Sequence, residues 1–315
     1  MSSFDPNHAA AGPGTRQQSQ HRRDRLHARR RFRRRGRRAY IRSVYFLPSL
    51  ATLGNAVCGF AAMYVAALDP IGLLSGDRIT RFFALHSLDM AAYLIFMAML
   101  FDAIDGRLAR FTRHTTDFGG QLDSLADVIS FGVAPAFISL QLIRSSPLEL
   151  SVGLSRLIWA IGALYVSCAA LRLARFNVSN KHGEQHHFSF LGLPSPAAGG
   201  AIAAFILMQR DMQRQSTGWA LLDGLANVCL LALPVLLGAL ALLMVSKVRY
   251  PHLVNRYLRG RRSLAQLVGV LALGLLVIVA HRYVLGLGTL AYALWGPLGW
   301  AMRRLRPRGQ EPPPP

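Results

Sequence analysis

The sequence predicts an all-α integral membrane protein, a polytopic helical bundle of about eight transmembrane helices. Three observations lead to this fold class. Apolar residues make up 52% of the 315 residues and are grouped in long runs, whereas a water-soluble domain shows short periodic stripes. The formal net charge is +21, which is typical of proteins that contact nucleic acid or a membrane surface. The distribution of basic residues among the apolar runs then favours the membrane.

Eight apolar runs have about the 20 residues that a helix needs to cross a bilayer. They cover about residues 46–68, 90–111, 120–143, 154–176, 193–209, 219–246, 264–280 and 283–302. With a cytoplasmic N-terminus, 29 of the 36 lysines and arginines lie on the cytoplasmic side of these spans and 7 lie outside. Because basic loops are retained in the cytoplasm, we expect both termini there and the protein in the inner, cytoplasmic membrane.

The two ends of the chain are polar and basic. Residues 1–44 contain a run of arginines and too few apolar residues to form a core, so we expect a disordered cytoplasmic tail. This tail either fixes the orientation of the protein or contacts anionic lipid headgroups. It lacks the interleaved aromatic residues of a nucleic-acid-binding segment, so no nucleic acid is expected as a partner. After this tail we predict a six-span membrane domain at 45–251, two additional helices at 252–302 and a basic, proline-rich tail at 303–315.

Four aspartates lie at the cytoplasmic ends of the second and third predicted spans. Asp102 and Asp105 are three residues apart, and Asp123 and Asp127 are four apart, so each pair shares one helix face. Carboxylates at this density repel one another unless a cation lies between them. Hard divalent cations prefer oxygen ligands, so the stretch predicts a site for one or two Mg²⁺ or Mn²⁺ ions that leaves ligand positions for phosphate.

Neighbouring residues favour phosphate chemistry over two other interpretations. Gly106 and Ala109 leave room for a substrate at the backbone, and Arg110 offers phosphate a planar fork. The aspartates would otherwise be ionic helix caps, or the carboxylates of a cation transporter or proton relay. Transporters often have inverted repeats and acids near the midplane, whereas this chain shows no evident repeat and its acids lie at one edge.

The acidic stretch fits the pattern D-x2-D-G-x2-A-R-x8-G-x3-D-x3-D at every position. The matching residues are Asp102, Asp105, Gly106, Ala109, Arg110, Gly119, Asp123 and Asp127. This pattern resembles the signature of the CDP-alcohol phosphotransferases. The resemblance implies a membrane-embedded helical bundle with a six-span catalytic core at 45–251, usually a homodimer. Such enzymes transfer a phosphatidyl or similar group from a CDP-activated donor to an alcohol and release CMP.

The resemblance also implies roles for individual residues. Asp102, Asp105 and Asp123 would ligate a two-metal cluster. Asp127 would touch the second metal and act as the general base on the attacking hydroxyl. The residues expected to contact the CDP moiety are Gly106, Ala109, Arg110, Thr116 and Asn55. For Asn55, a polar residue within an apolar run, the alternative is a hydrogen bond within the bundle.

Further segments resemble one branch of this family, the phosphatidylserine synthases. They are LPSLATLGN at 47–55, SLAD at 124–127, SFGVAP at 130–135, RLARFN at 172–177, GLPSPAA at 192–198 and MVSKVRYP at 244–251. The resemblance implies CDP-diacylglycerol as the donor and L-serine as the acceptor. Glycerol phosphate, inositol phosphate or choline as acceptor, and an ether lipid as donor, are the alternatives within the family.

Two arginines are candidates for binding the carboxylate of serine. Arg172 and Arg175 close the fourth predicted span, and a guanidinium suits a carboxylate. The alternative is that both are charges that snorkel to the cytoplasmic interface. Their spacing does not distinguish the two roles.

Overall fold

The structure, a computed structural model, describes residues 49–68, 77–112, 117–146, 150–181, 189–215, 219–251 and 280–305. Its α-helices are α1 (Ser49–Ala66), α2 (Arg78–Thr112), α3 (Asp117–Asp127), α4 (Ala134–Arg144), α5 (Val152–Lys181), α6 (Ser195–Gln215), α7 (Ala220–Val245) and α8 (His281–Leu305). A π turn, Val128–Val133, joins α3 and α4 into one continuous span. Two short strands, β1 (Ser189–Leu191) and β2 (Arg249–Pro251), pair antiparallel.

The helices confirm the predicted all-α membrane fold. Five described segments are long and apolar enough to cross a bilayer, and they match the first four and the sixth predicted spans. They are Ser49–Ala66, Leu85–Leu108, Phe118–Arg144, Val152–Val178 and Ala220–Val245. Helices α6 and α8 form where the fifth and eighth spans were predicted but are not among these five. The seventh predicted span and the tail at 1–44 lie outside the described residues, so the count of eight stays a prediction.

The helix α6 lies at the centre of the bundle and contacts α2, α4, α7 and α8. Its sequence begins SPAAGGAIAA, and small residues let neighbouring helices approach closely in a membrane. A Cβ atom on Gly199 would lie 3.2 Å from the Cα of Phe131, and one on Gly200 would lie 2.9 Å from the Sδ of Met99. Glycine at these two positions therefore sets how close the second and third spans come to α6.

The two-stranded ribbon fixes the N-terminal end of α6 against the C-terminal end of α7. Gly192 follows β1 with φ 83°, a conformation that favours glycine, and its N–H donates to the carbonyl of Val248 at 2.8 Å. A Cβ atom there would lie 2.3 Å from the carbonyl oxygen of Met244. Leu193 N–H donates to the carbonyl of Leu243 at 3.0 Å. These contacts determine where Ser195, the first residue of α6, enters the bundle.

The helix α2 begins with a side-chain cap. Asp77 accepts a hydrogen bond from the N–H of Thr80 at 3.1 Å and another from the Thr80 hydroxyl. An aspartate just before a helix can accept a hydrogen bond from one of the backbone N–H groups that the first turn leaves unpaired, and Asp77 does so for Thr80. Both hydrogen bonds lower the pKa of the exposed Asp77 carboxyl, and the bond from the Thr80 hydroxyl has the larger effect.

Charged residues join α2, α6 and α8 at the C-terminal end of α6. The buried Asp89 carboxylate of α2 pairs with Arg214 at 2.6 Å and with Arg210 at 3.6 Å. Asp211 pairs with Arg282 of α8 at 2.6 Å. Because charges buried in a bundle need partners, these pairs hold both α2 and α8 to the same end of α6.

We expect Asp89→Ala to destabilise the protein by about 3–5 kcal/mol, because it leaves two arginines without their buried partner. The measurement is the thermal unfolding midpoint of the detergent-solubilised protein. Asp223→Ala is the matched control, since Asp223 is an exposed acid near the start of α7. Equal midpoints for the two variants would show that the Asp89 pairs do not support the bundle.

Candidate active site

Three of the four predicted aspartates form one cluster where α2 and α3 meet. One carboxylate oxygen from each of Asp102, Asp123 and Asp127 lies within 4.8 Å of the others. Asp127 is 7% exposed, and the other two are partly buried. The predicted pairing of the two acidic helix ends is therefore present in the structure. Asp105 is 6% exposed and is not part of this three-carboxylate cluster.

The helix α1 holds one carboxylate from each acidic helix. The Thr52 hydroxyl donates to Asp105 Oδ2, and Asn55 Nδ2 donates to Asp127 Oδ1 at 3.1 Å. Thr52 and Asn55 are three residues apart, so both project from the same face of α1. Both are buried, which makes each bond a strong restraint on its carboxylate. The polar positions in the first apolar run thus have hydrogen-bond partners inside the bundle.

Asn55 has a second polar atom in the site. Its Oδ1 is buried without a hydrogen-bond partner among the described residues. The amide contact with Asp127 corresponds to the alternative role foreseen for this residue, a hydrogen bond within the bundle. Its predicted contact with CDP stays a prediction.

A close contact between α1 and the π turn sets the position of Asn55. A Cβ atom on Gly59 would lie 2.4 Å from Ser130 Oγ and 2.7 Å from Ser130 Cα, so only glycine fits there. The Ser130 hydroxyl donates to the carbonyl oxygen of Asn55 at 2.8 Å. The third span therefore carries Asp127 and also fixes the residue that hydrogen-bonds to it.

Arg172 of α5 brings a positive charge to the acidic cluster. Its guanidinium interacts electrostatically with Asp127 and Asp102. Its Nη1 atom donates to the Ser195 hydroxyl, fully buried at the start of α6, at 2.5 Å. The phenol of Tyr292, on α8, lies near this guanidinium. Of the two predicted carboxylate-binding arginines, Arg172 therefore lies at the cluster, whereas the Arg175 side chain is exposed.

Sequence reasoning missed Ser195 and Tyr292 as residues of the site. Ser195 lies in the segment GLPSPAA, which carries part of the resemblance but does not indicate an arginine partner. Nothing in the sequence signals Tyr292, because its helix and Arg172 are distant along the chain.

The remaining predicted residues lie around the end of α2. Gly106 is exposed, and a Cβ atom added to it would meet nothing within 4 Å, so a substrate has room at this backbone. Ala109 and Arg110 continue α2 beyond it. Thr116 lies outside the described residues.

The cluster fits a divalent cation. Its donors are carboxylate oxygens, which hard cations such as Mg²⁺ and Mn²⁺ prefer. Three such groups within 4.8 Å repel one another, and among the described side chains the guanidinium of Arg172 balances only part of their charge. The donor set and the uncompensated charge both favour a bound metal.

Comparison with known proteins identifies the family. Residues 45–233 match the model of the CDP-alcohol phosphatidyltransferase family. A CDP-diacylglycerol–serine O-phosphatidyltransferase of Helicobacter pylori is 30% identical over 82% of this chain and 93% of its own length.

Two proteins from other organisms are also similar. A CDP-diacylglycerol–serine O-phosphatidyltransferase of Methanocaldococcus jannaschii is 35% identical over 52% of this chain and 64% of its own. An archaetidylserine synthase of Methanothermobacter thermautotrophicus is 35% identical over 67% of this chain and 72% of its own. With its membrane-spanning helices and its carboxylate cluster, the chain belongs to the CDP-alcohol phosphatidyltransferase family.

Proposed function

We propose that this protein transfers the phosphatidyl group of CDP-diacylglycerol to the hydroxyl of L-serine, with phosphatidylserine and CMP as products. The observation that carries the proposal is the cluster of Asp102, Asp123 and Asp127 with Arg172 beside it. It combines a place for a divalent cation with a guanidinium for the carboxylate of an amino acid. The names of the H. pylori and M. jannaschii relatives support the choice of serine.

The reaction exchanges one phosphorus–oxygen bond for another. The serine hydroxyl oxygen attacks the phosphorus atom that carries diacylglycerol, the bond from that phosphorus to the CMP oxygen breaks, and CMP leaves. The hydroxyl proton passes to Asp127. When bound, one or two Mg²⁺ or Mn²⁺ ions neutralise charge on the transferring phosphate and the leaving group. Asp102, Asp105 and Asp123 would hold these ions together with Asp127.

Asp127 has the surroundings that a general base in this reaction requires. Its carboxylate is largely buried, so bulk water is kept from the oxygen that accepts the proton. The bond from Asn55 occupies Oδ1 and orients the group, leaving Oδ2 for the attacking hydroxyl. A divalent cation held by the cluster would favour the ionised form that a base must have.

Arg172 would bind the carboxylate of serine. Its bond to Ser195 occupies one nitrogen of the guanidinium and leaves other donors of the planar fork for a ligand. A carboxylate held there would lie near the cluster, because Arg172 interacts electrostatically with both Asp127 and Asp102. The acceptor hydroxyl is thereby brought towards the base.

The donor would enter from the bilayer. A cavity of about 310 Å³ lies between α3 and α5, beside the face that carries the aspartates. Leu125, Val128 and Leu173 make its walls apolar, while Ser124 and Asn177 are hydrogen-bonded to each other in its lining. An acyl chain suits such walls, and the CDP group would reach Gly106, Ala109 and Arg110 at the open end of α2.

The setting we propose is the cytoplasmic membrane, with both termini and the site on the cytoplasmic side, where soluble serine is available. The protein would act as a homodimer, and its basic tail would contact anionic headgroups. The catalytic domain would comprise residues 45–251.

An ether-lipid donor is the second candidate. The M. thermautotrophicus relative is named an archaetidylserine synthase, and its identity of 35% is as high as that of the M. jannaschii serine enzyme. The carboxylate cluster and Arg172 would act in the same way on either donor, because the difference lies in the lipid chains.

We expect the purified protein, given CDP-diacylglycerol, Mn²⁺ or Mg²⁺ and labelled serine, to form phosphatidylserine and an equal amount of CMP. Parallel reactions contain glycerol phosphate, inositol phosphate or choline, and one series replaces the donor with its ether analogue. Use of another acceptor in place of serine would refute the substrate assignment while leaving the family intact. Failure to bind CMP in the presence of metal would favour the transporter alternative.

We expect Asp127→Asn to lower kcat by about 10²- to 10⁴-fold, because the amide cannot accept the proton. Mn²⁺ binding, followed by calorimetry, should largely survive, since the amide oxygen and the other carboxylates remain. Asp123→Asn is the comparison variant and should weaken Mn²⁺ binding more. Near-normal turnover of Asp127→Asn would exclude Asp127 as the base.

We expect Arg172→Lys to raise the KM for serine about tenfold, because lysine keeps the charge but lacks the planar fork. The KM for CDP-diacylglycerol should stay within about twofold. Arg156→Lys, an exposed position earlier in α5, is the control and should match the wild type. If Arg175→Lys shifted the serine KM and Arg172→Lys did not, the carboxylate contact would belong to Arg175.

A further inference from the structure

The π turn in the third span begins one residue after Asp127. In this turn the N–H of Ala134 donates to the carbonyl of Ile129, five residues earlier, where an α-helix would use the residue four earlier. Pro135 accounts for its position: proline has no N–H, and its ring clashes with the carbonyl four residues before it, which belongs to Phe131. Such turns inside α-helices are frequent at functional sites.

The carbonyl of Phe131 receives its hydrogen bond from another helix. The hydroxyl of Tyr165, in α5, donates to it at 2.9 Å. Tyr165 is fully buried among apolar residues, and within the described part of the chain its hydroxyl bonds to the carbonyl of Phe131. A buried carbonyl needs such a partner, so Tyr165 supplies what Pro135 removes.

Two further helices press on the same turn. Ser130 donates to the carbonyl of Asn55 on α1 at 2.8 Å, and Gly199 of α6 faces the backbone of Phe131, where a Cβ atom would lie 3.2 Å from Cα. The turn is therefore held by α1, α5 and α6 at adjacent residues. Because Asn55 also donates to Asp127, any movement of the turn displaces both the carboxylate and its hydrogen-bond donor.

We propose that Tyr165 is a positioning residue for Asp127: its hydroxyl holds the carbonyl of Phe131 and thereby the π turn that aims Asp127 into the carboxylate cluster. The inference rests on the proposed function only in the role it gives Asp127. Tyr165 touches no substrate and acts through the backbone of the third span.

Two variants test the turn from opposite sides. Pro135→Ala restores the missing N–H and lets the third span close as a regular α-helix, so the thermal midpoint should stay the same or rise. We expect its kcat to fall by about 10- to 100-fold, because the base moves out of the cluster. Its Mn²⁺ affinity should weaken similarly, because a displaced Asp127 offers the ion no oxygen ligand, whereas the side chain in Asp127→Asn stays in place and still offers one. Tyr165→Phe should show the same losses, with the KM for serine within about twofold of the wild type.

The matched controls are Pro234→Ala in α7 and Tyr283→Phe in α8, which make the same chemical changes away from the turn and should keep the wild-type kcat. Wild-type kcat and Mn²⁺ affinity in either folded variant, Pro135→Ala or Tyr165→Phe, would overturn the proposal. Mn²⁺ binding is measured without acceptor. Weakened binding in Pro135→Ala would thus support the positioning role even if the wild type made no phosphatidylserine, a result that would refute the proposed function alone.

Discussion

Repulsion among three carboxylates is the constraint on which the rest of this structure depends. With oxygens no more than 4.8 Å apart, two ionised groups repel by at least about 3 kcal/mol at an effective dielectric constant of 20. Three such pairs would consume much of the stability of a typical domain. Asn55 and Arg172 act on the cluster from two different helices, and a bound cation would reverse the sign of the interaction.

Close helix packing places Asn55 and Arg172 beside the carboxylate cluster. Asn55 reaches Asp127 only because Gly59 lets α1 lie against Ser130, and Arg172 is fixed by Ser195 because the ribbon sets the start of α6. Lipid chains are as apolar as the side chains they would replace, so burial alone gives little drive for these contacts. Small residues and hydrogen bonds therefore determine the geometry of the site.

Much of the site was predictable from the spacing of the acids, because positions three or four apart on a helix must share a face. That rule placed the aspartates in pairs, and the predicted spans placed the two pairs together at one cytoplasmic edge. It did not show that Asp105 would turn to Thr52, since a helix face is wide enough to reach two neighbours. Pro135 can be read directly from the sequence. The hydrogen bond from Tyr165 to the carbonyl of Phe131 cannot, because the two residues are 34 apart and only the packing of α5 brings them together.

The division into a six-span core and two added helices stays a prediction, and α8, the described one of these two helices, packs closely on the core. The family match ends at residue 233, within α7, yet α8 packs along α6 and its Tyr292 lies near Arg172. Gly286 of α8 lies against Met208, where a Cβ atom would be 3.2 Å from Sδ, so this contact is as close as those within the core. Since α6 carries Ser195 at one end and the Asp211–Arg282 pair at the other, one rigid helix connects α8 to the arginine beside the cluster. The last helix is therefore structurally part of the unit that forms the site.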